Sequence, residues 1–167
     1  KVIKTNYDNS VEWKGIIDTA GINITNNCNL RCTYCYADAG KEIINYQDEI
    51  DFNEIKKYLD GVKKYASENC YIQFTGGEPL LRKELLFKSI KYDREIELPK
   101  ITINTNGILI DDEVARFFKE YSIDNITVSL DGIDKEKHDK FRGKGSYDYA
   151  IKAINILKKY NLNVTAS

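Results

Sequence analysis

Residues 70–79 read Cys70-Tyr71-Ile72-Gln73-Phe74-Thr75-Gly76-Gly77-Glu78-Pro79, a short apolar strand that runs into a polar glycine turn. Similar strands are predicted at residues 22–24, 101–103, 126–128 and 162–165, and amphipathic helices at 51–66, 83–92, 114–121 and 147–160 separate them. Short apolar strands that alternate with helices are typical of parallel βαβ units with right-handed crossovers. The sequence therefore predicts an α/β fold.

The pattern favours a partial TIM-like (β/α) barrel with parallel strands, truncated in or near its fifth strand. A closed eight-stranded barrel takes about 250 residues, whereas this chain has 167, opens on Lys1 and contains no methionine. Its last strand would leave an unpaired edge, which proteins normally cover, so we expect the natural chain to continue. We predict an N-terminal extension over residues 1–20, with a short strand or hairpin around Val11, Trp13, Ile16 and Ile17, and a barrel core over residues 21–167.

Composition narrows the class of protein. The chain is 42% apolar, which is enough to bury a core, and its net charge of −1 gives no reason to expect nucleic acid or an anionic membrane as a partner. No apolar run approaches the roughly 20 residues of a membrane span, and the N-terminus lacks a signal-peptide core. With clustered free thiols, these features predict a reduced, cytoplasmic location.

Three cysteines lie within eight residues, in Cys28-Asn29-Leu30-Arg31-Cys32-Thr33-Tyr34-Cys35. They predict a metal or iron–sulfur site. Because iron–sulfur clusters are normally held by four thiolates, a four-iron cluster here would keep one iron open to a further ligand. Zinc would need a fourth ligand, a thioredoxin-like Cys32 and Cys35 pair would leave Cys28 without a role, and a disulfide framework is unusual at this chain length.

The other polar motifs also follow predicted strands. They are Gly76-Gly77-Glu78-Pro79, Asn104-Thr105-Asn106-Gly107 and Ser129-Leu130-Asp131-Gly132. The carboxyl ends of barrel strands form the face that carries active sites. We therefore expect these three loops and the cysteine loop to converge.

The side chains of these loops suit a polar ligand. The pair Gly76-Gly77 allows close backbone approach or a tight turn, and Glu78 can accept hydrogen bonds from an ammonium group. Asn104 and Asn106 offer amide donors and acceptors, and Ser129 and Asp131 can bind hydroxyls such as those of a ribose. Asn-Gly and Asp-Gly are also common turn pairs.

Four further side chains have expected roles in the site or in packing. Tyr34 can cover a cluster and stack on a base, or simply pack. Arg142 can pair with a carboxylate in bidentate fashion or remain solvated. His138 is predicted at the surface, and Cys70 is predicted to pack as a small apolar residue.

In this order and spacing, the three cysteines and the Gly-Gly-Glu-Pro, Asn-Thr-Asn-Gly and Ser-Leu-Asp-Gly motifs resemble the radical S-adenosylmethionine (SAM) enzymes. The resemblance covers about residues 20–167. It implies a [4Fe-4S] cluster on Cys28, Cys32 and Cys35, with SAM on the open iron. Reductive cleavage of SAM would then give a 5′-deoxyadenosyl radical that abstracts hydrogen from a substrate.

The resemblance also implies roles for single residues. Gly76, Gly77 and Glu78 would hold the methionyl ammonium, and Tyr34 would lie near the adenine. The residues implied in contacts with the SAM carboxylate or ribose are Ser129 and Arg142, with Asp131 and Asn104 as further candidates.

The cysteine loop and the stretch His138-Asp139-Lys140-Phe141-Arg142-Gly143 resemble the branch with a C-terminal SPASM or twitch extension, a segment that these 167 residues do not include. That branch includes peptide and sulfatase maturases and enzymes of haem and other cofactor biosynthesis. We therefore expect a peptide or protein substrate, with a cofactor precursor or other small molecule as the alternative. The implied electron donor is a ferredoxin or flavodoxin. A non-catalytic iron–sulfur electron carrier is the alternative from a different class.

Overall fold

The computed structural model describes residues 14–40, 45 and 49–167. Its strands are β1 (Ile17–Asn23), β2 (Ala66–Thr75), β3 (Lys100–Thr105), β4 (Asn125–Val128) and β5 (Val164–Ala166). They form one parallel sheet in the order β1-β2-β3-β4-β5. The α/β fold and the parallel partial barrel are confirmed.

Helices connect the strands as the periodicity predicts. They are α1 (Phe52–Tyr65), α2 (Lys83–Glu95), α3 (Asp112–Glu120), α4 (Lys135–Arg142) and α5 (Ser146–Lys159), and a 3-10 turn at Pro79–Arg82 precedes α2. In the described part of the chain, no helix is both long enough and apolar enough to cross a membrane.

The hydrophobic core lies between the helices and one face of the sheet. Alternate strand residues face the helices, so the buried set repeats every second position. The largest fully buried side chains come from both layers: Ile72, Phe74, Ile101, Ile103 and Ile126 from the strands, and Leu59, Leu86, Ile90, Phe118 and Leu157 from the helices. Cys70 is fully buried among them, which confirms its predicted packing.

Helix α1 shows how local sequence sets an element boundary. The Asp51 carboxylate accepts the Glu54 N–H, and the Glu54 carboxylate accepts the Asp51 N–H, both at 2.9 Å. Such a capping box is worth about 1 kcal/mol. Ile55 and Leu59 are buried as predicted, but Tyr58 is 43% exposed, because the sheet contacts only a narrow stripe of the helix.

Four features differ from the sequence-based expectation. Strand β2 begins at Ala66, directly after α1, and helix α4 was not predicted because its residues are almost all polar. Strand β1 begins at Ile17, inside the expected N-terminal extension, whereas Val11 and Trp13 lie outside the described residues. His138, predicted at the surface, is only 1% exposed.

Candidate functional site

The loops after the strands converge on a cavity of about 220 Å³. Its lining brings together most of the predicted site residues: Cys28, Cys32, Cys35, Tyr34, Gly76, Gly77, Asn104, Ser129 and Arg142. Leu30, Tyr36, Thr75, Thr105 and Asn106 complete the wall. Two predicted residues, Glu78 and Asp131, do not line it.

The three cysteine side chains are free thiols and only partly exposed. The Leu30 N–H points at Cys28 Sγ at 3.4 Å, and Asn106 Nδ2 lies 3.8 Å from the same sulfur. Burial raises the pKa of the Cys28 and Cys32 thiols; the Leu30 N–H opposes this shift at Cys28, and the Arg142 charge opposes it at Cys32. N–H groups directed at sulfur are the contacts that tune iron–sulfur sites.

The three cysteines all line the cavity. Among the residues that the structure describes, no group of three Cys, His, Asp or Glu side chains is placed to hold one metal ion. A zinc ion needs all its ligands on one centre, whereas a four-iron cluster offers a separate iron to each thiolate. Three thiols around a cavity, with N–H donors beside Cys28, fit the cluster.

Gly76 and Gly77 are required by the approach of two backbone segments. A Cβ on Gly76 would lie 2.4 Å from the Thr25 carbonyl oxygen, and one on Gly77 would lie 2.1 Å from the Asn27 carbonyl oxygen. The Gly77 N–H donates to the Thr25 carbonyl at 2.7 Å, and the Glu78 N–H to the Asn27 carbonyl at 2.9 Å. The glycine pair thus ties the end of β2 to the segment that enters the cysteine loop.

The Glu78 side chain has a different role from the expected ammonium contact. It is fully buried and accepts hydrogen bonds from Thr105 Oγ1 at 2.9 Å, the Asn106 N–H at 2.8 Å and the Leu80 N–H at 3.2 Å. Burial raises the pKa of Glu78 to about 7, against these hydrogen bonds. Its carboxylate joins the loops after β2 and β3, so only the Glu78 backbone is left for the predicted contact.

The loop after β3 continues this linkage to the cysteines. Asn106 Nδ2 donates to Asn29 Oδ1 at 2.7 Å, and the Ile108 N–H donates to Asn106 Oδ1 at 3.0 Å. Asn104 lies two residues earlier and lines the cavity directly. Asn106 therefore orients the Cys28 end of the cysteine loop.

Asp131 acts through Arg142 instead of lining the cavity. Arg142 donates to both Asp131 oxygens, at 2.7 and 2.8 Å, and the Tyr34 hydroxyl also donates to Asp131. The Arg142 contact is the main reason that the pKa of Asp131 is lowered. Burial raises the pKa of Tyr34 to about 12, and the hydrogen bond to Asp131 is the second cause of this shift. Asp131 therefore stands behind Arg142, and its predicted ribose contact stays a prediction.

Helix α4 places these groups against the cysteine loop. The Thr33 N–H donates to the Phe141 carbonyl at 2.9 Å, and the Tyr34 and Phe141 rings meet edge to face at 6.0 Å. Buried His138 accepts the Asp131 N–H on Nδ1 at 3.1 Å, and its ring contacts that of Tyr147. The prediction of a surface histidine was wrong because α4 packs this side of its polar sequence inward.

Glu49 was missed by sequence reasoning. Its side chain is 2% exposed and accepts from Thr25 Oγ1 at 2.8 Å and the Asn26 N–H at 2.6 Å, with Arg82 at 3.8 Å. It therefore anchors the segment before Cys28. Nothing in the polar sequence around it distinguishes Glu49 from the neighbouring acidic residues.

Comparison with known proteins agrees with this geometry. Fe-coproporphyrin III synthase of Methanosarcina barkeri is 39% identical over 143 residues, which cover 85% of this chain and 34% of that protein. The cysteine-type anaerobic sulfatase-maturating enzyme of Clostridium novyi is 35% identical over 158 residues, covering 83% of this chain and 39% of that protein. The chain thus spans little more than a third of the length of these relatives.

Solved structures of similar fold come from the same group of enzymes that bind S-adenosylmethionine. Native anSMEcpe with bound AdoMet superimposes with a TM-score of 0.75 at 27% identity, over 89% of this chain and 42% of that one. Streptococcus suis SuiB bound to S-adenosylmethionine also has a TM-score of 0.75, at 20% identity, over 90% of this chain and 33% of that one, which supports the fold.

The family profile described as Radical SAM superfamily matches residues 22–167, which includes every cysteine-loop and strand-end motif named above. Enzymes of this family use a [4Fe-4S] cluster and SAM, and the matched structures include forms with SAM bound. The chain belongs to the radical SAM superfamily.

Proposed function

We propose that this chain is the core of an enzyme that cleaves SAM reductively at a [4Fe-4S] cluster and uses the resulting radical to abstract hydrogen from a peptide or protein. The observation that carries the proposal is the shared cavity, in which three thiols face the glycine loop, Asn104, Ser129 and Arg142. When bound and reduced, the cluster supplies the electron that splits SAM into methionine and a 5′-deoxyadenosyl radical.

The residues of the chain would bind and orient these groups. Cys28, Cys32 and Cys35 would ligate the cluster, and the backbone of residues 76–78 would hold the SAM ammonium group. Ser129 and Arg142 suit the SAM carboxylate or ribose, with Asn104 beside them. Tyr34 would lie along the adenine, and Asp131 would orient Arg142 through its two hydrogen bonds.

The sulfatase-maturating relative and the fit to anSMEcpe, a structure of which contains a bound peptide, support a peptide or protein substrate. A second candidate is haem or other cofactor biosynthesis by the same chemistry, which the 39% identity to Fe-coproporphyrin III synthase favours. In either case a ferredoxin or flavodoxin in a reduced, cytoplasmic compartment would supply the electron.

Anaerobic reconstitution with iron and sulfide, followed by electron paramagnetic resonance (EPR) with and without SAM, tests the proposal. A four-iron signal that shifts on addition of SAM is expected. Cys35→Ala should abolish the cluster, while Cys70→Ala, in the fully buried fourth cysteine, should keep it. Arg142→Gln should keep the cluster but weaken the SAM-dependent shift, whereas Arg116→Gln, on the exposed face of α3, should not.

The alternatives predict other spectra. An iron–sulfur electron carrier would show a cluster signal that is blind to SAM and to Arg142→Gln. A zinc protein would form no four-iron cluster and would bind zinc in its place. Either result would contradict the proposal.

A further inference from the structure

Asp131 is the point at which two side chains proposed for SAM binding meet. Its carboxylate accepts two hydrogen bonds from Arg142, at 2.7 and 2.8 Å, and a further one from the Tyr34 hydroxyl. Arg142 and Tyr34 line the cavity, whereas Asp131 does not. The direction of the Asp131 carboxylate therefore decides how the Arg142 guanidinium is presented to the cavity.

The main chain at Asp131 has already left the sheet. Strand β4 ends three residues earlier, and the Leu130 N–H still donates to the Ser167 carbonyl at 2.7 Å beside β5. At Gly132 the backbone turns with a φ of +87°. Between them, the Asp131 N–H donates to a side chain, His138 Nδ1, at 3.1 Å. A residue of α4, and not the sheet, thus holds the main chain at this position.

Helix α4 holds Asp131 at two points. His138 and Arg142 are four residues apart on this helix, so their side chains lie on the same face. His138 contacts the main chain of Asp131, and Arg142 contacts its carboxylate. A single contact would leave the carboxylate free to rotate, whereas two contacts from one helix fix both its position and its direction.

A neutral imidazole suits this acceptor position. Neutral histidine accepts on one ring nitrogen and carries its proton on the other, so acceptance at Nδ1 puts the proton of His138 on Nε2. Burial lowers the pKa of His138, although the Asp131 charge opposes this shift, and the ring is neutral at neutral pH. A carboxylate in its place would accept the same N–H but would repel the Asp131 charge.

Packing does not account for a histidine here. His138 is buried, and its Nε2 has no hydrogen-bond partner among the residues that the structure describes. A buried donor without a partner destabilises the fold. The ring meets that of Tyr147 edge to face at 5.7 Å, a contact that phenylalanine would also make. The favourable feature that distinguishes histidine from phenylalanine at this position is the Nδ1 acceptor.

We propose that His138 is a positioning residue for SAM binding, which holds the main chain of Asp131 on Nδ1 and thereby sets the direction of the carboxylate that orients Arg142. The inference rests on the proposed function and adds a residue of α4 to it. His138 does not line the cavity, so it acts through Asp131 and not by contact with SAM.

The tautomer of His138 can be measured without a variant. His138 is the single histidine of the chain, so nitrogen NMR of the untagged protein with isotope-labelled histidine gives the spectrum of one imidazole. In the oxidised, cluster-loaded protein with SAM, Nε2 should carry the proton and Nδ1 should carry none. A proton on Nδ1 would overturn the inference, because that nitrogen would then be unable to accept the Asp131 N–H.

Two variants separate the acceptor from the packing of the ring, with SAM affinity measured by titrating SAM into the reduced, cluster-loaded protein and following the EPR shift. His138→Phe keeps the ring contact but removes the acceptor, so SAM should bind about three- to tenfold more weakly. His138→Asn offers an amide oxygen to the same N–H and should bind SAM within about twofold of the parent. Glu136→Gln, exposed on the same helix, is the control.

Iron content should match the parent in all three variants. The Tm of His138→Phe should lie within about 4 °C of the parent, because the unpaired Nε2–H is removed together with the acceptor. If His138→Phe does not fold, His138→Leu takes its place. A variant that loads its cluster but binds SAM weakly separates positioning from a purely structural role.

A double-mutant cycle tests whether the effect passes through Asp131. Asp131→Asn alone should weaken SAM binding about tenfold, and addition of His138→Phe should weaken it by no more than about a further twofold, because residues of one network are not additive. Additive losses would overturn the inference. So would a His138→Phe variant that binds SAM like the parent, or a folded His138→Asn variant that binds it as weakly as His138→Phe.

Failure of the proposed function gives a different result. A parent protein whose cluster signal does not respond to SAM would refute the proposed function, and the role of His138 would be refuted with it. A parent signal that shifts with SAM, and shifts equally in His138→Phe, would refute the role of His138 alone.

Discussion

Single residues at this site act mainly on the backbone of neighbouring loops. Gly77 permits contact with Asn27, Glu78 collects donors from the loop after β3, and Glu49 collects donors from the segment before Cys28. None of these roles requires contact with a ligand. The loops around the cavity are therefore held in place by glycine and polar residues, of which Gly77 lines the cavity and Glu78 and Glu49 do not.

Gly77→Ala should prevent the cysteine loop from docking. The new Cβ would lie 2.1 Å from the Asn27 carbonyl oxygen, which is backbone and cannot move without displacing the loop. We expect poor cluster incorporation and a large loss of stability. Gly61→Ala is the matched control: nothing lies within 4 Å of its Cβ in helix α1, so it should stabilise the protein by about 0.5–1 kcal/mol. Iron content measures cluster incorporation in the two variants, and chemical denaturation measures their stability. Normal cluster loading in Gly77→Ala would show that the cysteine loop docks without the glycine.

Asp93 makes stability depend on pH. It is fully buried in α2, its carboxylate oxygens have no hydrogen-bond partner among the described residues, and burial raises its pKa to about 7. The native state therefore holds a proton that the unfolded chain releases between about pH 4 and pH 7. Consequently this carboxyl group destabilises the fold most strongly above about pH 7. The loss of stability becomes smaller as the pH falls from about 7 to about 4, and below that range it is absent.

Asp93→Asn should raise the free energy of unfolding at about pH 8 by roughly 1–3 kcal/mol, because the neutral amide avoids burying a charge. The advantage over the parent should shrink as the pH falls to about 5. Urea denaturation across this range measures it, with Glu95→Gln on the exposed side of the same helix as the control. An advantage that does not change with pH would show that Asp93 is not protonated as described.

At the scale of elements, helix α4 and the start of α5 form one clamp on the cysteine loop. Arg142 and Phe141 contact residues 32–34, and Asp139 accepts the N–H groups of Gly145 and Tyr147 at 2.7 and 2.9 Å at the start of α5. Those hydrogen bonds lower the pKa of Asp139. The clamp thus connects the cysteine loop, near the start of the chain, to α4 and α5, near its end.

Asp139→Ala should destabilise the protein by about 1–2 kcal/mol, since the first N–H groups of α5 lose their acceptor. Asp148→Ala is a suitable comparison. Asp148 pairs with Lys135 at the surface, where both side chains are more than half exposed, and such pairs contribute about 0–1 kcal/mol. Thermal unfolding measures the difference, and equal losses in the two variants would show that Asp139 contributes no more than a surface ion pair.

At the scale of the whole molecule, the sheet separates two kinds of interaction. One face and the helices form the apolar core. The other face carries polar side chains that include Gln73, Thr75, Thr102 and Asn104, of which Thr75 and Asn104 line the cavity. The loops after four strands all contribute to that cavity. A ligand there would link parts of the chain that are otherwise joined mainly through the sheet.

SAM should therefore raise the Tm of the cluster-loaded protein. A ligand that binds only the folded state at about 100 times its Kd stabilises it by about 2.7 kcal/mol. Without the cluster, SAM lacks its iron contact and the shift should be smaller. Anaerobic differential scanning fluorimetry compares the two forms; an equal shift in both would place SAM elsewhere on the protein.

Sequence alone determined the strands, most of the helices and the loops that form the site, because side-chain periodicity and turn residues are local signals. The cysteine spacing likewise identified the cluster motif. Only the tertiary structure decided that Glu78 points to the loop after β3, that His138 is buried, and that Asp131 is held by Arg142 and by Tyr34, 97 positions away. The burial and pairing of a polar side chain depend on partners distant in the chain, and no local pattern records which partner the fold brings near.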